Sequence, residues 1–270
     1  TSATWQGALQ SANRILISSG TVIASASSKQ KGCVQGIYVN TKKGEGKDPA
    51  LIISGSANVT AKAVTADSAE NGRAHGIWAN FCRVDISERA VVTAVGTAGQ
   101  QTFTGGGIHL NGTEMAVSGA AKVTVSAEKN AYVGINLQGE NSKLVVRGGN
   151  VSVSSAHSYG MYGYDGGYLG AEISGGVVTV QGNKQAVEWA VSQEKPANPS
   201  FTVSGTPERF VAGDNAASAK AVTAVGTEKY IQVSFETSPG TTDASLAGGV
   251  LFLVLSGATL FVVLRRRTFL

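Results

Sequence analysis

Charged side chains, proline and cysteine are all scarce in this 270-residue chain. Asp, Glu, Lys and Arg together make up 15% of it, which leaves little material for an acid–base active site. The net charge is +4, but Arg265, Arg266 and Arg267 stand together at the far end. Without them the chain is close to neutral, so nucleic acid has no electrostatic footprint to bind. Five prolines exclude a proline-rich linker or a collagen-like rod. Two cysteines, Cys33 and Cys82, are too few for a disulfide framework and lack metal-ligand spacing. They read as two small buried residues, with a Cys33–Cys82 disulfide as the alternative. The chain starts at Thr1 with neither Met nor a signal peptide, and a processed or N-terminally truncated chain is expected. No P-loop, nucleophile elbow or dinucleotide fingerprint is present, and neither cofactor nor metal is expected.

Glycine, by contrast, occurs 35 times, and Ser, Thr, Val and Ala fill much of the rest. Small and β-branched residues punctuated by glycine favour short strands and tight turns. The strands recur. Gly36-Ile37-Tyr38-Val39-Asn40 returns as Gly76-Ile77-Trp78-Ala79-Asn80, Gly107-Ile108-His109-Leu110-Asn111, Gly134-Ile135-Asn136-Leu137-Gln138 and Gly160-Met161-Tyr162-Gly163-Tyr164. Ala186-Val187-Glu188-Trp189-Ala190 is a decayed copy, and the intervals between copies are 40, 31, 27, 26 and 26 residues. Between them lies an aliphatic-Ser-Gly motif: Ile17-Ser18-Ser19-Gly20, Ile53-Ser54-Gly55, Val117-Ser118-Gly119, Ile173-Ser174-Gly175 and Val203-Ser204-Gly205. A third alternating segment follows each, as in Val59-Thr60-Ala61 and Val123-Thr124-Val125.

Three short strands cannot bury a hydrophobic face alone, whereas stacked copies bury one aliphatic column per strand. The expected fold is therefore all-β, a right-handed parallel β-helix over residues 1–236. Glycines are expected at its corners, where φ can be positive. Asn40, Asn80, Asn111 and Gln138 are expected to stack as a mutually hydrogen-bonded amide ladder. Thr41–Ala50 and Gln193–Ser200 read as inserted loops, and Tyr230–Glu236 as a final, capping strand.

Residues 237–244 form a polar stalk. Ser245–Leu264 is uncharged and long enough to cross a bilayer as one transmembrane helix. Arg265, Arg266 and Arg267 then act as a membrane stop in a basic cytoplasmic tail, 265–270, leaving the repeats outside. Ser238-Pro239-Gly240-Thr241-Thr242, followed by this span and its arginines, resembles the C-terminal sorting signal of Gram-positive cell-wall proteins. Pro239 and Thr241 match its two central fixed positions and Ser238 a variant first position, while Thr242 stands where glycine is usual. The repeats likewise resemble those of parallel β-helix surface proteins of Gram-positive bacteria. The resemblance implies a cell-surface protein anchored in the membrane or, after cleavage between Thr241 and Thr242, attached to peptidoglycan.

Alternation turns Ile37, Ile77, Ile108, Ile135 and Met161 inward and their successors outward. Tyr38, Trp78, His109, Asn136, Tyr162 and Glu188 would then form one outward stripe. Aromatic faces stack on sugar rings while amides and acids bond hydroxyls, so the stripe suits an extracellular glycan. The expected function is an adhesin or a glycan-binding or structural display module. A β-helix polysaccharide lyase or glycoside hydrolase is the alternative. Its disadvantage is that Asp85, Glu88, Glu172 and Glu188 are scattered rather than paired.

Overall fold

The computed structural model describes residues 4–29, 32–41, 49–69, 72–100, 105–164, 169–190 and 200–236. The strands come in threes. The first coil is β1 (Thr4–Ser11), β2 (Ile15–Ile17) and β3 (Thr21–Ser28), and the second β4 (Gly32–Asn40), β5 (Pro49–Ile53) and β6 (Asn58–Thr65). The third is β7 (Arg73–Asn80), β8 (Arg83–Ile86) and β9 (Val91–Ala98), and the fourth β10 (Gly106–Asn111), β11 (Glu114–Val117) and β12 (Lys122–Lys129). In the next two coils the second and third strands fuse: β13 (Val133–Gln138) leads to β14 (Ser142–Ser155), and β15 (Tyr159–Tyr164) to β16 (Leu169–Gly182). The last coil keeps β17 (Gln185–Ala190) and β18 (Ser200–Val203).

Like strands stack on like, all parallel. The first sheet runs β1-β4-β7-β10-β13-β15-β17. The second and third stacks join through the long β14 and β16 into one 14-stranded sheet. The described chain is thus an all-β, solenoid-like stack of coils. The expected three-strand rhythm is present, and it begins one coil earlier than its glycine motif, because Ala8 stands in the glycine position of β1.

Register explains the repeat. Leu9, Ile37, Ile77, Ile108, Ile135, Met161 and Val187 are successive partners across the first stack. All from Ile37 onward are buried. Leu51, Val84, Met115 and Leu144 make a second column, and Val59, Val92, Val123, Val151 and Val178 a third. The three columns meet in one continuous core. Each fully buried aliphatic side chain stabilises the stack by about 1.5–3 kcal/mol relative to exposure.

Glycine has two jobs, only one of them at a corner. The Ser-Gly motif takes positive φ, for example 62° at Gly55 and 66° at Gly119. In the third coil Glu88 holds that corner at φ 60°. The Gly-Ile glycines are different: none has positive φ, and they serve close approach instead. A Cβ on Gly36 would sit 2.5 Å from the Lys62 nitrogen, and one on Gly76 2.5 Å from that of Val95.

Beyond β18 the repeat gives way to an antiparallel set, β19 (Arg209–Gly213), β20 (Lys220–Ala221) and β21 (Tyr230–Ser234). β21 pairs with the second half of β16 and with β19. The reversal covers an edge that would otherwise template further parallel pairing. β21 lies where the sequence places its final strand. Among the described residues no helix is long and apolar enough to cross a membrane. The stalk, the 245–264 span, Ser238–Thr242, Arg265–Arg267 and most of the two inserted loops lie outside the described residues.

Candidate functional site

The six residues of the expected stripe do align. Tyr38 pairs with Trp78, Trp78 with His109, His109 with Asn136, Asn136 with Tyr162 and Tyr162 with Glu188. Exposure corrects the picture of one accessible stripe. Trp78 is 6% exposed, His109 2% and Asn136 0%, whereas Tyr38, Tyr162 and Glu188 are half-buried. The column therefore has a closed part in its middle coils and an accessible part toward its C-terminal end.

The closed part is a polar-aromatic cluster with few hydrogen bonds. The His75, Trp78 and His109 rings contact one another, with centroids 4.6 to 5.0 Å apart, and Tyr38 meets Trp78 edge-on at 6.0 Å. Trp78 Nε1 donates to Asn80 Oδ1 at 2.5 Å, and Asn80 Nδ2 donates to the Tyr38 hydroxyl at 3.3 Å. The expected amide ladder is thus in register, but Asn80 bonds to aromatic neighbours instead of to the amides above and below. Asn136 Nδ2 lies 3.2 Å from His109 Nδ1. Both ring nitrogens of His75, Nε2 of His109, Oδ1 of Asn136 and Nε2 of Gln35 are buried with no hydrogen-bond partner of good geometry. Burial, then the charge of Arg73, pulls the His109 imidazole down to about 3. The His75 imidazole is held well below its usual range by burial, His109 and Arg73. Both rings are therefore neutral at physiological pH.

His75 escapes strict alternation, which would turn it inward beside Ile77. Partnering in the first stack passes from Gln35↔His75 to Ile37↔Ile77 and skips Gly36. At this irregularity the residue before the glycine and the residue two after it reach the same outer face. Gln35, His75 and Tyr159 join the stripe in this way. The readable signal was the residue preceding each motif glycine.

The accessible part is built of the half-buried Tyr132, Tyr162 and Tyr164 packed around Tyr159, which is itself buried. Tyr159 and Tyr162 stack with centroids 5.2 Å apart, Tyr132 meets both edge-on at 5.5 Å, and Tyr164 adjoins Tyr162 at 5.6 Å. Tyr159 and Tyr162 flank Gly160 on β15, and Tyr132 comes from the turn before β13. Lys184, in the turn before β17, donates to the Tyr159 hydroxyl at 2.6 Å and lies 4.9 Å from the centre of its ring. Burial first, and then the neighbouring phenols, pushes the Tyr162 hydroxyl up to about 12. Of the aromatic run His157–Tyr168, residues 165–168 lie outside the described residues.

Two of the four scattered acids, Asp85 and Glu172, are held elsewhere, while Glu188 stays in the column beside Tyr162. On the outer face of the second stack Arg83 bonds Asp85 at 2.8 Å, and Lys143 bridges Glu114 and Glu172 at 3.3 Å each. This is a ladder of ion pairs running across the coils. Cys33 and Cys82 are free, buried thiols, pushed up by burial to about 12 and 11. Among the described residues no cluster of three or more His, Cys, Asp or Glu is placed to hold a metal ion.

Fold and face together define a class: a repetitive, parallel-stranded solenoid that carries an aromatic column on one outer face. Comparison with models of known families, with curated proteins and with solved structures finds no match.

Proposed function

We propose that the chain is a cell-surface-anchored adhesin or glycan-binding display module. In this reading the stack is a right-handed parallel β-helix held outside the cell. Ser245–Leu264 is its transmembrane helix and Arg265–Arg267 its cytoplasmic stop, with Ser238–Thr242 as a sorting-type signal toward peptidoglycan. The uncharged span and its arginines support the anchor.

One observation carries the binding role: the half-exposed tyrosine platform of Tyr132, Tyr162 and Tyr164. Rigid phenol faces offer apolar area for a sugar ring, and their hydroxyls, with Glu188 beside them, bond its edges. The rim residue Lys184 adds a donor. Of the four acids open to the lyase or hydrolase alternative, Asp85 and Glu172 are engaged with Arg83 and Lys143.

The test is a glycan array probed with the full chain in mild detergent, beside Tyr162→Ala and Tyr132→Ala. Binding weakened about tenfold or more by each change supports the reading. Binding that both variants retain in full removes the platform as the site. A folded chain that binds no glycan leaves a passive spacer.

A further inference from the structure

We propose that His75, Trp78 and His109 form an acid-sensitive lock on the outer face of the first stack, closed while both imidazoles are neutral and opened when they take up protons.

The geometry leaves no place for an imidazolium. His75 is 0% and His109 2% exposed, on adjacent strands, with ring centres 5.0 Å apart. Charging both would set two cations side by side in a buried space, where like charges strongly oppose each other. A buried imidazolium also needs acceptors for two N–H groups, yet His75 has a partner at neither nitrogen and His109 has none at Nε2.

No compensating anion is at hand among the described residues. The titratable groups on this face are Cys33 and Tyr38 on β4 and Arg73 on β7, besides the two histidines on β7 and β10. Cys33 and Tyr38 are neutral, and burial raises both further from ionisation. Arg73 is positive and opposes a further cation at either ring. The next strand, β13, brings the uncharged Asn136 and Gln138, and the Gln138 side chain favours a charged His109 ring by less than burial and Arg73 oppose it. The charge of Arg73 also opposes a divalent metal, and among the described residues no third His, Cys, Asp or Glu joins the two rings as a ligand set.

The lock has a defined sign. Once the face opens, each histidine regains its ordinary value of about 6.5. The closed state then holds fewer protons than the open one, so closure is complete above about pH 6.5 and weakens as pH falls. With two histidines the ratio of closed to open falls by up to about 100-fold per pH unit below that point. The bulk of the core, on the inner side of the sheet, carries no such charge, so the coils persist while the face opens.

Register supplies mild replacements. Gln35 already stands beside His75, and Asn136 beside His109. His75→Gln/His109→Asn keeps the polar character of the face and removes its titration. The full chain in mild detergent, carrying Trp5→Phe and Trp189→Phe so that Trp78 alone reports, is followed by acrylamide quenching and far-ultraviolet dichroism from pH 7.5 to 4.5. The expected result is at least tenfold greater access to Trp78 at pH 5 than at pH 7, with the strand signal retained, and no such change in the double variant. Equal acid responses in both proteins would overturn the lock, as would loss of the strand signal together with Trp78 exposure. Should the double variant fail to fold, the His75 and His109 imidazole signals of the parent are titrated by NMR. Values below about 5 uphold the proposal, and values at or above about 6.5 overturn it.

Discussion

Trp78 and Tyr162 occupy the same place in the repeat, two residues after the motif glycine and joined by an unbroken register through His109 and Asn136. Trp78 is nevertheless buried among imidazoles and amides, whereas Tyr162 sits half-exposed among phenols. The backbone is common to both, so side-chain identity and neighbouring turns decide which stretch of a solenoid face is closed core and which is surface. A repeat places a residue on a face without settling whether water reaches it. The comparison separates two kinds of aromatic in one column, one buried and one open to water.

Truncation is the strongest way to break that equivalence. Trp78→Ala removes a buried indole in contact with Tyr38, His75 and His109, and it frees the Asn80 amide from its donor. A loss of about 3–5 kcal/mol in unfolding free energy is expected. Tyr162→Ala gives up edge and stacking contacts worth about 0.5–1.5 kcal/mol each, partly offset by its half-exposed setting. Urea unfolding of the two variants measures the difference. Equal losses would mean that both positions belong to one kind of face.

The glycine beneath each aromatic gives a smaller contrast. A Cβ on Gly76 meets the Val95 nitrogen at 2.5 Å and two carbonyl oxygens at 2.8 Å, all backbone. On Gly160 the nearest atom is the side-chain Val180 Cγ1, also at 2.5 Å, and a backbone atom, the Ala186 carbonyl oxygen, follows at 2.8 Å. Gly76→Ala is expected to cost about 1–3 kcal/mol by overpacking, and Gly160→Ala less. Thermal unfolding of the pair would reverse this order only if the sheets are free to separate under β7.

Much of this was legible in the sequence, because a packing column needs the same residue type at every coil. Ile37, Ile77, Ile108 and Ile135 announced both strand and register. The function of their glycines was harder to read: a glycine can mark a positive φ, as Gly55 does, or a close approach, as Gly76 does, and one letter serves both. Outward direction was correct for Trp78 and His109, but accessibility depends on the surroundings, which alternation does not encode. His75 was hidden for a related reason. Alternation with a period of two cannot foresee the irregularity at Gly76 that lets positions three apart share a face. The hydrogen bonds of Asn80 likewise depend on which aromatic stands two residues earlier, a coincidence of neighbours rather than of period.

Alkaline titration sharpens the comparison most gently, and at the opposite end of the pH scale from the histidines. The Tyr162 hydroxyl is pushed up to about 12 by burial, then by Tyr132, Tyr159, Glu188 and Tyr164, and Tyr132 is raised too, by burial and then by Tyr159. A folded value above the unfolded one of about 10 means that the folded chain holds its phenol protons longer. The stability this contributes is fully present below about pH 10 and is lost as pH rises toward about 12. Solvent screens part of it, because Tyr162 is half-exposed. Near-ultraviolet absorbance of the phenolate should therefore show a late-titrating fraction that Tyr162→Phe diminishes and Trp78→Ala leaves in place. A single transition near about pH 10 in the parent protein would mean that the phenols do not sense one another, and the platform would then be a row of independent side chains.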